Sequence, residues 1–128
     1  MTGVPKSVQS STVSSRARLD CRFFRSEAGS EPVREWLREL PLEAKKAIGS
    51  DIERVQWQWP VSMPLVDGLG GGLYEVRTKV NRVNYRVLFC IAENAMVLLH
   101  GFVKKVRTSP DEIALGRKRQ KQVQEETP

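Results

Sequence analysis

The sequence predicts an α+β domain in which an N-terminal strand precedes a helical hairpin packed on a small antiparallel sheet, with a short basic helix at the C-terminal end. Three observations predict it. Apolar residues recur at helical spacing twice between residues 33 and 55; three apolar or alternating runs then succeed one another between 73 and 105 without a helical pattern between them; and Pro, Gly and Asn stand at the boundaries. At 128 residues the chain suits one core. The expected organisation is a flexible extension over 1–18, a single domain over 19–122 and a tail over 123–128.

Residues 1–18, MTGVPKSVQSSTVSSRAR, carry no sustained period and cannot offset the entropy of being ordered. LDCRFFR (19–25) has enough aromatic and apolar residues for a short strand, and EAGS breaks it. Ser30 is placed to cap the next helix, with Glu31 and Pro32 in its first turn, where a missing N–H costs little. Val33, Trp36, Leu37 and Leu40 form one stripe, which Pro41 ends. A second stripe runs through Ala44, Ala47, Ile48, Ile52 and Val55, and the short connection favours an antiparallel hairpin. WPVSMPLVDGLGGG (59–72) reads as a loop because of its two prolines and four glycines.

Strands are expected at LYEVRTK (73–79), NYRVLFCIA (84–92) and AMVLLHGFVKK (95–105), the last two joined by a tight turn at Glu93-Asn94. The continuous apolar run at 84–92 implies a central strand. Ser109-Pro110-Asp111-Glu112 is a good helix start, with acids near the positive dipole end, and the Arg117–Lys121 run makes the helix basic.

Twenty-one Lys and Arg against 15 Asp and Glu give a net charge of +6, a balance that favours phosphate backbones, anionic membranes or acidic proteins as partners. The excess sits at the ends: +4 over residues 1–25, −1 over 26–103 and +5 over 104–121. Cys21 and Cys90 are 69 positions apart, with no C-x-x-C pair and one His in the chain, so neither a zinc site nor a disulfide framework is supported, and both read as reduced thiols. No apolar run approaches the roughly 18 residues of a membrane span. The expectation is a cytoplasmic protein that needs no metal or other cofactor.

His100 lacks the motif of a nucleophilic triad and reads as a strand histidine near a polar rim. GLGGG (68–72) precedes a strand, where a phosphate loop would open a helix, and so reads as a turn. What remains is a basic set: Arg77, Lys79, Arg82 and Arg86 from one strand pair, then Lys104, Lys105 and Arg107. Residues two apart on a strand share a face, which groups Glu75, Arg77 and Lys79. Arg86 interrupts a buried run, a costly place for a guanidinium unless it pairs with Glu75 or Glu53 or is placed to hold an anion.

Such cations suit RNA cleavage without a metal. The 2′-OH already lies beside the scissile phosphorus, so a protein need orient it, assist proton movement and stabilise the extra negative charge. Tyr85 could orient a phosphate or stack a base. The same patch could equally hold a partner's acidic groups.

In their order, CRFFRSEAGSEPVREWLREL, MPLVDGLGGGLYEVRT, NYRVLF and LLHGFVKKVRTSP resemble the phage-related branch of the HigB toxins within the RelE/ParE superfamily, over about residues 20–121. The resemblance implies ribosome-dependent cleavage of mRNA in the A site, contact with ribosomal RNA, and restraint by a helix-turn-helix antitoxin of HigA type. It assigns catalysis to Arg77 of YEVR, Tyr85 and Arg86 of NYR, and Lys104 and Lys105 of FVKK; the other basic residues, Lys79, Arg82, Arg107, Arg117 and Lys118, are expected to contact RNA or the ribosome. Two other functions fit the same fold: a ParE-like toxin that binds gyrase without cutting anything, and a phage-derived module that keeps only its antitoxin contact.

Overall fold

The computed structural model describes residues 18–105, 107 and 109–126, so the expected N-terminal extension lies, except for Arg18, outside the described residues. Its elements are β1 (Asp20–Phe23), α1 (Pro32–Arg38), α2 (Leu42–Gln58), β2 (Val66–Gly70), β3 (Leu73–Val80), β4 (Val83–Ala92), β5 (Ala95–Lys104) and α3 (Pro110–Glu126). The five strands form one sheet in the order β1-β5-β4-β3-β2. The architecture is α+β, but the sheet is mixed and larger than expected. The pairing of β1 with β5 is parallel, Cys21 facing Met96 and Phe23 facing Leu98, while every other pair is antiparallel. A connection through two helices returns the chain to the sheet in either sense, and local composition carries no information about which.

The stretch expected as a loop contains the edge strand β2, shifted in register between Gly68 and Gly70. Its glycines are tolerated because an edge strand with an irregularity asks less of backbone stiffness than a central one. Gly71 and Gly72, with φ of 63° and 81°, make the turn into β3, as the GLGGG run predicts. The turn at Glu93-Asn94 forms with φ of 52° and 63°, and Asn81-Arg82 makes its counterpart between β3 and β4 at 50° and 69°.

Both faces of the sheet are covered. On one, α1 lies over β5 and α2 over β3, where Val33, Ala44, Ile48, Ile52 and Val55 pack with Val76, Tyr85, Val87, Phe89, Met96 and Leu98. On the other, α3 lies against β4 and β5, and Val123 joins Leu73, Leu88, Cys90, Val97, Leu99 and Phe102. That double cover explains the apolar run Val87–Ala92 in β4, the middle strand.

Details of the helices differ from expectation. Glu31 rather than Ser30 stands at the cap position of α1, because the Ser30 hydroxyl is bonded to that of Ser26 at 2.8 Å. The C-terminal helix is not short: it continues to Glu126, and Val123, expected in a tail, is buried. Ser109 does start it, its hydroxyl accepting from Asp111 N at 3.2 Å. Among the described residues, no helix is long and apolar enough to cross a membrane.

Gly101 fixes how closely α1 approaches β5. A Cβ there would lie 2.3 Å from Trp36 Cε3, so Gly101→Ala should cost about 1–3 kcal/mol in a urea unfolding curve by forcing the indole aside; an unchanged midpoint would show that α1 does not pack as described.

Candidate nucleic-acid interface

The strands set the geometry. Arg77 faces Arg86 across β3 and β4, and Arg86 faces Phe102 across β4 and β5. In the next row Lys79 faces Asn84, which faces Lys104. One row the other way, Glu75 faces Leu88, which faces His100. Directly opposed residues project to the same side. Arg77, Lys79, Arg86 and Lys104 therefore share the α3 side of the sheet with Glu75, and Asp67, opposed to Glu75 on β2, projects to the same side.

Glu75 is the hub. Its Oε1 lies 3.5 Å from Arg86 Nε and 4.0 Å from Arg77 Nε. Arg86 is 4% exposed and Glu75 6%, so of the partners open to the arginine it is Glu75, not Glu53, that pairs with it. Arg86 Nη1 also donates to Tyr85 O at 3.1 Å, while its buried Nε makes no hydrogen bond. Burial raises the Glu75 carboxyl above the usual carboxylate range; Arg86 and Arg77 pull it back, Asp67 pushes it up, and Lys104 pulls it down. Burial likewise lowers the Arg86 guanidinium, against Glu75, with Arg77 adding to the lowering.

The other cations differ in freedom. The Arg77 side chain is 30% exposed and donates from Nη1 to Met63 Sδ at 3.1 Å. Lys79, Lys105, Arg107 and Arg82 are exposed and Lys104 is partly so, Arg82 standing at the tip of the β3–β4 turn. Arg77, Lys79, Asn84 and Arg86 line a depression of about 240 Å³ together with Pro64 and Thr78.

Three expected residues are placed elsewhere or otherwise engaged. Tyr85 points to the opposite face, buried against the hairpin with its ring centroid 6.3 Å from that of Trp36; its neighbours in sequence are Asn84 and Arg86, and period two sends it the other way. Arg117 binds β2, donating to Leu69 O at 2.8 Å and Gly70 O at 3.0 Å. Lys118 is exposed on α3, lining a different depression with Phe24, Ser26 and Arg119.

His100, read from the sequence as a strand histidine near a polar rim and not as a site residue, stands on this face of the sheet. Its Nε2 is 2.6 Å from Glu112 Oε1 in the first turn of α3, and its ring stacks on Phe102 with centroids 5.4 Å apart. The signal available was a lone histidine two residues before Phe102, followed by an acid in a helix start. Among the described residues, no group of three His, Cys, Asp or Glu side chains could hold a metal ion.

A family model described as Phage derived protein Gp49-like matches residues 35–121, from α1 to α3. The chain belongs to the Gp49-like family. Gp49-like proteins are a toxin-like family related to RelE/ParE. The matched span contains β3, β4 and β5 and with them the whole cationic face. The curated proteins contain no match to this Gp49-like chain.

Arg86→Met leaves the Glu75 carboxylate buried without its counterion and should destabilise the fold by about 3–5 kcal/mol at neutral pH, whereas Glu75→Met combined with Arg86→Met should recover most of that loss. Equal stabilities for single and double variants would contradict the pairing. The raised Glu75 carboxyl has a pH signature as well. The folded chain keeps that proton to higher pH than the unfolded chain, so its contribution to stability is full below the ordinary carboxylate range and lost as pH rises through the raised value; Glu75→Gln should remove that slope.

Proposed function

We propose that this Gp49-like protein is the toxin of a type II toxin–antitoxin pair, of HigB kind, which cuts mRNA in the ribosomal A site. The observation that carries the reading is the gathering of Arg77, Lys79 and Lys104 around the buried Glu75–Arg86 pair on one face of three adjacent strands. Its partners are then mRNA and ribosomal RNA, and a helix-turn-helix antitoxin of HigA type that keeps the activity in check.

The chemistry asked of this face is modest. The ribose 2′ oxygen attacks phosphorus in line and gives up its proton to solvent, the P–O5′ bond breaks and O5′ takes up a proton from solvent, and a 2′,3′-cyclic phosphate and a free 5′-OH result. Extra negative charge accumulates on the phosphoryl oxygens on the way. Arg77 offers a planar, permanently charged fork to those oxygens, and Lys79 and Lys104 supply mobile point charges on either side. Arg86, buried and already engaged, acts through Glu75 and Arg77 by holding the charge pattern in place. Lys105 and Arg107 leave the strand end as exposed contacts for the phosphates of ribosomal RNA, with Arg82 doing the same at the opposite turn.

A second reading is favoured by one observation. With Tyr85 on the hairpin face and Arg86 buried, the set of groups free to touch a phosphate is smaller than the resemblance implies, which suits a module that binds a partner's acids and cuts nothing.

Induction of the protein should stop translation, with transcripts cut inside coding frames on ribosomes. Arg77→Ala and Lys104→Ala should each slow cleavage by about a hundredfold and reduce the slope of log K against log salt by roughly 0.7 per lost single-strand phosphate contact. Intact transcripts alongside DNA breaks would place the protein with gyrase poisons. Intact transcripts with no growth arrest but retained antitoxin binding would leave the binding module.

A further inference from the structure

A second, larger depression of about 550 Å³ adjoins the cationic face, within the roughly 300–1,000 Å³ usual for small-ligand sites. Its wall is the last two turns of α2, where Asp51, Arg54 and Gln58 follow at i, i+3 and i+7 and so lie on one side of the helix. Its floor and rim are the segment from Pro60 to Leu65. Arg77 and Pro64 line both this depression and the smaller one that holds Lys79, Asn84 and Arg86. The two depressions therefore meet at Arg77 and Pro64.

The polar groups here have a defined chemistry. Asp51 Oδ2 is occupied by the Thr78 hydroxyl at 2.7 Å, and Oδ1 has only Arg54 Nη1 at the long distance of 3.9 Å. A carboxylate accepts hydrogen bonds and donates none. Gln58 adds an amide that can do either, at the helix end where backbone carbonyls also favour donors. Opposite them, the exposed thioether of Met63 and the ring of Pro64 offer apolar surface to a flat group. Arg54 and Arg77 stand at the edges with positive charge.

An acceptor edge, apolar flanks and flanking guanidiniums match a nucleotide whose base presents an exocyclic amine and whose phosphate reaches Arg77. We infer that this groove is a base-reading subsite, taking the nucleotide next to the one whose phosphate lies on the cationic face. The inference rests on the RNA-directed reading above, and it adds a source of sequence preference to it. Asp51 and Gln58 read the amine, Met63 and Pro64 hold the plane of the base, and Arg77 fixes the step between the two sites.

The test uses the full chain and short RNA strands in which every 2′ oxygen is methylated, so that none can be cut. With methionine methyls labelled for NMR, strands carrying adenine or cytosine should shift the Met63 methyl and bind at least about fivefold tighter than the all-uracil strand. Asp51→Ala and Gln58→Ala, each checked for an intact amide spectrum, should abolish that preference. A Met63 methyl that stays fixed at saturating or millimolar RNA, or a preference unchanged in both variants, overturns the subsite. Cleavage of ribosome-bound RNA is measured separately. Groove binding without cleavage sinks the nuclease reading alone, and cleavage with a silent groove sinks this inference alone.

Discussion

An arginine buried to 4% in the middle strand of a sheet is tolerable only because a carboxylate waits across the ladder, and the Arg86–Glu75 contact is the interaction on which the rest of this face depends. Taking both charges out of water is costly, and their attraction repays that cost only with good geometry and further hydrogen bonds. Arg86 finds one further bond, to Tyr85 O. The pair therefore does not serve stability most directly; an apolar pair of similar volume could do as well or better. What it provides is position. Glu75 holds Arg86 and draws Arg77 within 4.0 Å, and its carboxyl feels Lys104 from the next strand but one.

The second constraint is the division of the sheet between its covers. The hairpin occupies one face along its length, burying Tyr85 and Phe89 there. On the other, α3 begins at Pro110, and its first-turn Glu112 meets His100 one row from the cations. Beyond that row the strands carry Lys79, Asn84, Arg86 and Lys104. The basic residues of α3 are partly spent on holding the helix down: Arg117 bonds carbonyls of β2, and Arg119 donates to Leu99 O at 2.8 Å. Thus the positive charge of residues 104–121 does two jobs. Lysines at the strand exit are free for a partner, while arginines on the helix secure the layer that leaves that exit open.

Much of this was legible in the chain. The period of 3.6 in Val33 to Val55, the period of two in Glu75-Arg77-Lys79 and the turn at Glu93-Asn94 all act locally, and all three elements form where their residues require. So did the choice open to Arg86, because a guanidinium in an apolar run must have an anion. The parallel partner of β1 and the length of α3 were not legible, since each depends on contacts made far away in sequence, Cys21 with Met96 and Val123 with the core of the other face. The strand hidden in VDGLG pairs locally, Asp67 with Glu75, but its glycines read as a turn. Tyr85 shows a different failure. Alternation alone places it opposite Arg86, and grouping the two by adjacency in NYR overlooked the pleat. Gln56 is a buried polar residue that no pattern signals; it donates to Leu19 O at 2.8 Å and thereby fixes where the chain enters the domain.

Membership of the Gp49-like family is consistent with a toxin-like module, and the open cationic face is where the proposed activity would act. The central claim is that polyanion meets the α3 side of β3, β4 and β5, beyond the first turn of α3. Photocrosslinking of thiouridine-containing mRNA on ribosomes, followed by mass spectrometry of the attached peptides, tests it directly. The account predicts crosslinks in residues 77–86 and 100–107. Crosslinks confined to α1 and α2, on the face where Tyr85 is buried, would contradict it.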